Sequence, residues 1–319
     1  MTTRNCLHCY KPLSKGETDF HENCSRKFFG THEPPLLDYG LDQMKELAAK
    51  IVLQRISITG VQPKMSLNIE KIPGNPKLSR LTIVGLWGQY ILKPPSEEFP
   101  HLPENEDLTM HLAALFGIET AEHSLIRLKT GELAYITKRF DRVNGRKLPL
   151  QDMCQLTETL TSQKYRSSME KVGRTIDRFS TNPGIDKLAF FTLSLFSYLS
   201  GNADMHLKNF SLLTTQTDRI RLAPAYDLLS TKLAMPADKE DMALTLNARK
   251  NNIRRKDFDA FGAYLGIPAA ATESVFEQFF QKFSRAVTLI EISCLSGKYK
   301  SMYKDLLVSN YRRMEIAPC

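Results

Sequence analysis

The chain has 319 residues, of which 42% are hydrophobic and 24% are charged, and its formal net charge is +8 at pH 7. This composition is ordinary for a globular protein of one large or two modest domains and excludes a low-complexity chain. The positive charge suits an anionic partner such as a nucleotide or DNA. The absence of any block of five like charges favours a generally basic surface instead.

No apolar run is long enough to span a bilayer, since the most apolar stretch, residues 188–199, is short and contains Ser and Thr. The first residues are not followed by the apolar segment of a signal peptide. We therefore expect a cytoplasmic protein with no membrane contact, unless it is exported by a route that uses no cleavable signal. Six cysteines are present, and a disulfide framework is not expected in a cytosolic chain of this size.

Residues 1–32 form a Cys/His-rich arm. Cys6 and Cys9 have the C-x-x-C spacing, and His21 and Cys24 follow as a second close pair. Soft ligands in two pairs suit tetrahedral Zn²⁺, so we predict a structural zinc site here. His8 is a competing ligand, and the alternative to a metal site is a reduced cysteine cluster that fixes the arm.

Residues 33–142 have the pattern of a domain built on a β-sheet. Two helices are predicted, at residues 41–52 and 104–116. Four segments rich in β-forming residues are predicted to be strands: residues 65–69, 81–92, 123–128 and 132–140. Residues 72–78, with two Pro and one Gly, are predicted to be a hairpin loop.

Helical periodicity dominates residues 143–319. Five segments carry apolar residues at helical spacing: residues 169–179, 185–199, 256–265, 272–295 and 299–314. The two regions together predict an α+β protein in which a sheet domain precedes a helical one.

One loop interrupts these helices, with the sequence Gly-Asn-Ala-Asp-Met-His-Leu-Lys-Asn-Phe at residues 201–210. Asp204 and Asn209 are separated by four residues, as in a protein-kinase catalytic loop, where the Asp receives the hydroxyl proton and the Asn holds magnesium. A strand at residues 210–213 and a second acid, Asp227, follow one hairpin downstream. The spacing alone matches often by chance, and Asp204 is alternatively a turn or capping residue. The combination of features favours phosphoryl transfer.

These residues resemble a known family. The segments around Asp204 and Asp227 are similar to the C-terminal kinase lobe of HipA-family toxin kinases. Residues 55–64 resemble that family's phosphate-binding loop and residues 137–142 its hinge. Because the chain is short and its phosphate loop lies near residue 57, it most resembles the short HipT type, which lacks the usual N-terminal subdomain. The resemblance implies a bilobal protein-kinase-like α+β fold, with a mixed β-sheet N-lobe and a helical C-lobe.

The resemblance also implies roles for single residues. Asp204 is the catalytic Asp, and Asn209 and Asp227 bind Mg²⁺. Lys93 matches the Lys that holds the α- and β-phosphates of ATP, with Glu104 or Glu106 as its partner. Further residues implied in ATP binding lie in the phosphate loop, the hinge and the catalytic loop: Gly60, Val61, Gln62, Lys64, Lys138, Phe140, His206 and Lys208.

Autophosphorylation is a further implication. Ser57 matches the serine that the family phosphorylates in its own phosphate loop, and Thr59 offers a second hydroxyl on the same side of an extended segment. Alternatively, the two hydroxyls cap backbone groups in a turn. His206 alternatively braces the catalytic loop, and Lys208 alternatively faces solvent.

The leading functional hypothesis is an ATP- and Mg²⁺-dependent serine/threonine kinase that acts as the toxin of a toxin–antitoxin system. The resemblance implies an aminoacyl-tRNA synthetase as substrate and inhibition of translation as the result. It also implies a HipB/HipS-type antitoxin as partner, with DNA contacted only through it. The alternatives are a non-catalytic DNA-associated module with a kinase fold and a small-molecule kinase. The intact set of Lys93, Asp204, Asn209 and Asp227 argues against the non-catalytic alternative.

Overall fold

The computed structural model describes residues 5–53, 63–85 and 87–316. The chain divides into two compact units. Unit 1 comprises Met1–Leu108, Ala121–Phe140 and Ile292–Ser296, and unit 2 comprises Thr109–Thr120, Asp141–Glu291 and Gly297–Cys319. The predicted arm of residues 1–32 falls within unit 1.

Unit 1 is built on an antiparallel five-stranded sheet. Its strands are β1 (Met65–Ile72), β2 (Asn75–Val84), β3 (Tyr90–Lys93), β4 (His123–Arg127) and β5 (Leu133–Lys138), in the order β2-β1-β3-β5-β4. Its helices are α1 (Glu22–Phe29), α2 (Leu41–Leu53) and the first half of α3 (Leu102–Leu115).

The prediction of one strand over residues 81–92 was wrong. Strands β2 and β3 pair with opposite edges of β1, so the chain must cross β1 between Val84 and Tyr90. Gly88 makes that crossing possible, because a Cβ there would lie 2.6 Å from the backbone nitrogen of Leu67. The predicted hairpin loop is also shorter than residues 72–78: β1 runs to Ile72 and β2 begins at Asn75, with Gly74 at a φ of 81°.

The arm contributes to the core of unit 1. Buried side chains from the arm and from the sheet form one apolar cluster, which includes Cys6, Leu7, Phe20, Phe28, Phe29, Met65, Leu67, Tyr90, Leu92, Leu125 and Ile136. Ring contacts connect the two parts: Phe28 and Phe29 lie 5.8 and 6.0 Å from Tyr90, between ring centroids. The arm therefore covers the N-terminal end of β3 at Tyr90, whereas Lys93 lies at the C-terminal end of the same strand.

Unit 2 is mainly helical. Beyond the end of α3 its helices are α4 (Met153–Leu156), α5 (Met169–Phe179), α6 (Pro183–Leu199), α7 (Thr231–Ala234), α8 (Arg255–Tyr264), α9 (Ala269–Ile292) and α10 (Gly297–Arg313). It also contains the hairpin β6 (Arg142–Val143) and β7 (Arg146–Lys147), and the strands β8 (Leu150–Asp152), β9 (Ser211–Thr214) and β10 (Ile220–Leu222). The last three form an antiparallel sheet in the order β10-β9-β8.

Helix α6 leads into residues 201–210, the predicted catalytic loop. It is apolar on almost every side, and its Phe190 and Phe191 are fully buried. Phe191 contacts Phe258 and Phe276 edge to face, which fixes α6 among α8 and α9. The seven helices predicted from periodicity are confirmed, each within three residues of its predicted ends. Among the described helices, none combines the length and apolar character needed to cross a membrane.

Candidate active site

The loop after α6 is fixed by hydrogen bonds on its N-terminal side. Gly201 has a left-handed φ of 68°, and a Cβ there would lie 2.7 Å from Leu306 Cδ2, so both the backbone and the space favour glycine. The Thr231 hydroxyl donates to the Gly201 carbonyl (3.1 Å) and accepts from the Ala203 N–H (2.9 Å). These hydrogen bonds therefore fix the direction of the backbone that leads to Asp204.

Asn209 closes the same loop onto Asp204. Its amide nitrogen Nδ2 donates to the backbone carbonyl of Asp204 (3.0 Å). The backbone N–H of Asp204 in turn donates to Asn202 Oδ1 (3.1 Å). Because Nδ2 of Asn209 is used within the loop, its Oδ1 is the atom oriented to serve as an acceptor. The structure thus brings Asp204 and Asn209 together on one tight turn.

A residue that sequence analysis missed contacts the Asp204 carboxylate. The Tyr165 hydroxyl donates to Asp204 Oδ1 at 2.6 Å. The Tyr165 ring packs edge to face on His206, with 5.0 Å between ring centroids. Burial and the neighbouring carboxylate raise the pKa of Tyr165, so the phenol keeps its proton and remains a donor at neutral pH. One oxygen of Asp204 is therefore already held.

Lys208 is engaged within unit 2 and does not face solvent. Its ammonium donates to Asp152 Oδ2 at 2.5 Å, and its side chain is only 19% exposed. Asp152 also caps α4 by accepting from the Gln155 N–H (2.9 Å). The sequence indicated no role for Asp152, whose side chain connects β8 and α4 to the predicted catalytic loop.

His206 is buried beside the acids of this region. Burial lowers its pKa, although the carboxylates of Asp204 and Asp227 act in the opposite direction. Its ring is therefore neutral at pH 7. Within the described part of the chain, Nδ1 of His206 has no hydrogen-bond partner.

Asp227 is brought to the catalytic loop by the β9–β10 hairpin. Leu222 of β10 pairs with Leu212 of β9, so Asp227 and Asn209 lie at the same end of the hairpin. The neighbouring Tyr226 donates its hydroxyl to the Lys208 carbonyl (2.9 Å). Asp227 itself has a left-handed φ of 59°, a conformation that Asp adopts more readily than most non-glycine residues.

Unit 1 holds the other predicted cation. Lys93, at the end of β3, donates from Nζ to Glu106 Oε1 at 2.5 Å, and the two side chains are 4% and 1% exposed. The ammonium also lies 5.4 Å from the centroid of the Tyr135 ring. Glu104 instead accepts from His101 (3.2 Å). Glu106, and not Glu104, is therefore the partner of Lys93.

The remaining predicted ATP-binding residues are distributed along unit 1. Lys138, at the end of β5, donates its backbone N–H to the Glu122 carbonyl (2.8 Å), and its ammonium lies 3.4 Å from Glu122 Oε2. Phe140, the last residue of the hinge segment in this unit, is half-buried, as is Lys64. The other members of the predicted phosphate loop lie outside the described residues: Ser57, Thr59, Gly60, Val61 and Gln62.

The predicted zinc ligands come together in unit 1. The ligand atoms of Cys6, Cys9, His21 and Cys24 all lie within 4.8 Å of one another. Burial and the neighbouring thiols raise the pKa of Cys24 to about 12. The five cysteines of the described residues are all free of disulfide bonds.

Comparison with known proteins gives consistent matches. The family model of the HipA-like C-terminal domain matches residues 56–287. A putative kinase of Haemophilus influenzae is 30% identical over 242 residues, which cover 67% of this chain and 68% of the relative. The serine/threonine-protein kinase toxin HipA of Shewanella oneidensis is 29% identical over 235 residues, 67% of this chain and 52% of the relative. The chain thus spans only about half of the length of that toxin.

A solved structure agrees with these matches. The HipA chain in a complex of Shewanella oneidensis HipA, HipB and operator DNA superposes with a TM-score of 0.64 at 23% identity, over 84% of this chain and 71% of that chain. At this identity the likeness is one of fold. It confirms the predicted α+β, protein-kinase-like fold.

Proposed function

Because the chain belongs to the family of HipA-like C-terminal domains, which are serine/threonine protein kinases, we propose that it transfers the γ-phosphoryl group of ATP to a Ser or Thr hydroxyl of a protein. The family prediction is confirmed by the match over residues 56–287. The assignment to the short HipT type stays a prediction.

The observation that supports this proposal most directly is the closed turn from Asp204 to Asn209. Tyr165 holds Oδ1 of Asp204, which leaves the other carboxylate oxygen to orient the acceptor hydroxyl and receive its proton. The hydrogen bond from the Asn209 side chain to the Asp204 backbone carbonyl fixes Asn209 on the turn that carries Asp204. Positioning of this kind is the main contribution of a protein to phosphoryl transfer.

The donor set of the loop fits Mg²⁺. Hard cations take oxygen ligands, and Asn209 Oδ1 together with the Asp227 carboxylate supply an amide oxygen and a charged oxygen. Asn209 Nδ2 is already used within the loop, which orients Oδ1 as the ligand atom. When bound, Mg²⁺ neutralises charge on the β- and γ-phosphates. Tyr226 keeps Asp227 beside the loop through the Lys208 carbonyl.

Lys93 supplies the cation that phosphate binding requires. Its ion pair with Glu106 is buried, so the ammonium is held in one position and not spread over many rotamers. We assign Lys93 to the α- and β-phosphates of ATP. Lys64 and the phosphate-loop residues Gly60, Val61 and Gln62 are assigned to the phosphates as well, and the hinge residues Lys138 and Phe140 to adenine.

Autophosphorylation of the phosphate loop is part of the same proposal. A phosphate on Ser57 or Thr59 would add a charge of about −1.5 to −2 near the groups that bind the triphosphate. That charge would compete with ATP for the same cations and weaken ATP binding. Self-modification would then switch the kinase off.

The relatives support a proposal for the biological role. One relative carries the name of a toxin kinase, and its solved complex contains HipB and operator DNA. We propose that this chain is likewise the toxin of a toxin–antitoxin pair, with a HipB/HipS-type antitoxin through which DNA is contacted. Its substrate would be an aminoacyl-tRNA synthetase, whose phosphorylation stops translation. This role places the chain in the cytoplasm.

The test is phosphoryl transfer from radiolabelled Mg-ATP to a panel of synthetases, followed by mapping of phosphosites. Asp204→Asn should lower transfer by at least about a thousandfold, because it removes the base and a charge at the reacting hydroxyl. Asp218→Asn is the matched control, since Asp218 is exposed at the tip of the β9–β10 hairpin. Near-normal transfer by Asp204→Asn would overturn the assignment. ATP turnover by the wild-type protein would exclude the non-catalytic alternative. If a small molecule were phosphorylated and no phosphopeptide were found, the small-molecule kinase would be favoured.

A further inference from the structure

The Cys/His cluster of unit 1 has dimensions that match a metal site. The sulfur atoms of Cys9 and Cys24 lie 3.4 and 3.7 Å from Nδ1 of His21. A tetrahedral zinc with ordinary Zn–S and Zn–N bonds needs S···N separations of about 3.6 Å. From this agreement we infer that Cys6, Cys9, His21 and Cys24 bind one structural Zn²⁺, and that this site positions helix α3 at the Lys93–Glu106 pair.

The orientation of His21 supports metal binding. Its Nε2 lies 3.0 Å from the Pro12 carbonyl, so Nε2–H donates and the lone pair of Nδ1 faces the thiols. Zinc-bound histidines are oriented in this way by a hydrogen bond from the second ring nitrogen. His8, the competing ligand, is used elsewhere: its Nδ1 lies 3.2 Å from the His123 carbonyl.

The four ligands come from two short, well-defined pieces of backbone. Cys6 and Cys9 lie in a turn that is closed by hydrogen bonds from the Tyr10 N–H to the Cys6 carbonyl (2.9 Å) and from the Cys6 N–H to the Lys11 carbonyl (2.8 Å). His21 and Cys24 flank the start of α1. A metal ion would join the turn to the helix, and structural zinc sites stabilise small units in this way.

The turn also contacts α3. Tyr10 directly follows Cys9, and its buried hydroxyl donates to Asp107 Oδ2 at 2.5 Å. The other oxygen of Asp107 lies 2.7 Å from Nδ1 of His123 in β4. Burial lowers the pKa of His123, so the neutral ring donates from Nδ1–H. Both oxygens of Asp107 are therefore held, one of them from the turn.

Asp107 is the neighbour of Glu106, which pairs with Lys93. If the turn that contains Cys6 and Cys9 moved, Asp107 would move with it. Glu106 would also move, because it precedes Asp107 in α3. The zinc site thus acts on the kinase as a positioning element, without contact with ATP or with the reacting groups.

Metal content tests the first half of the inference. The full-length protein, purified without chelators, should contain about one zinc per chain by elemental analysis, and Cys9→Ser should contain almost none. Cys154→Ala is the control, because Cys154 lies in unit 2. If Cys9→Ser fails to fold, cobalt replacement in the wild-type protein gives the answer through the visible bands of tetrahedral, thiolate-bound Co²⁺. Zinc far below one per chain in a folded protein would overturn the site and leave a cluster of reduced thiols.

Hydrogen exchange tests the second half. Chelation of zinc from the wild-type protein should accelerate amide exchange in the first half of α3 about tenfold or more, because a hydrogen bond to a charged group is lost there. Tyr10→Phe should give the same acceleration while zinc stays bound. If the wild-type protein binds zinc but amide exchange in α3 is the same before and after chelation, the positioning role is refuted. Neither measurement involves ATP, so their outcome is independent of the proposed phosphoryl transfer.

Discussion

The buried pair of Lys93 and Glu106 allows a sharp test, because Glu104 on the same helix was an equal candidate in the sequence. Glu106→Gln keeps the shape of the side chain and removes its charge. At 2.5 Å and an effective dielectric constant of about 20, the Coulomb attraction is about 7 kcal/mol before desolvation is subtracted. Removal of one partner from a buried pair typically costs about 3–5 kcal/mol, because the remaining charge stays buried without compensation.

We therefore expect Glu106→Gln to lower the free energy of unfolding by about 3 kcal/mol, measured from urea denaturation, and to lower phosphoryl transfer by at least tenfold. Glu104→Gln, whose side chain pairs with the partly exposed His101, should change the free energy of unfolding by less than about 1 kcal/mol. Equal effects of the two substitutions would refute the pairing. Wild-type transfer by a folded Glu106→Gln would refute the role of Lys93.

Two other substitutions test the catalytic loop. Tyr165→Phe should lower kcat about tenfold with little change in the KM for ATP, because it removes only the hydrogen bond that orients Asp204. The control is Tyr264→Phe, at an exposed tyrosine. An unchanged kcat in Tyr165→Phe would contradict the positioning role of Tyr165. Gly201→Ala should lower the free energy of unfolding by about 2–4 kcal/mol, because the added Cβ has both a left-handed φ and a close contact with Leu306. Gly266→Ala, with a φ of 69° and open space at its Cβ, should lower it by only about 1 kcal/mol. Both values are measured by urea denaturation. Equal losses would show that the contact with Leu306 has no energetic effect.

Much of the fold could be predicted because its signals are local. Helices such as α5 and α6 follow from apolar periodicity within one segment, and Asp204 and Asn209 are recognised by their spacing within one loop. Such patterns depend only on neighbouring residues. The pairs Cys6–Cys9 and His21–Cys24, which the structure brings together, belong to the same class, since each pair is close in sequence.

Contacts between distant segments could not be predicted. Tyr165 reaches Asp204 from an irregular segment with no periodicity, 39 positions earlier. Lys208 pairs with Asp152 across 56 positions, although the sequence indicated only phosphate binding or solvent exposure for Lys208 and no role for Asp152. The break between β2 and β3 depends on the close approach of Gly88 to β1, which becomes visible only once the order of the strands is known.

Helix α3 shows why the choice between Glu104 and Glu106 needed the structure. Its N-terminal half carries three acids, and each has a different partner: His101 for Glu104, Lys93 for Glu106, and Tyr10 for Asp107. A buried carboxylate without a donor is strongly unfavourable, so these contacts restrict the rotation of the helix as tightly as apolar packing would. Periodicity describes only the apolar part of that restriction. A rotation by one residue would move all three acids away from their donors together, and the position of Glu106 at Lys93 therefore depends on contacts that the arm and the sheet make with the same helix.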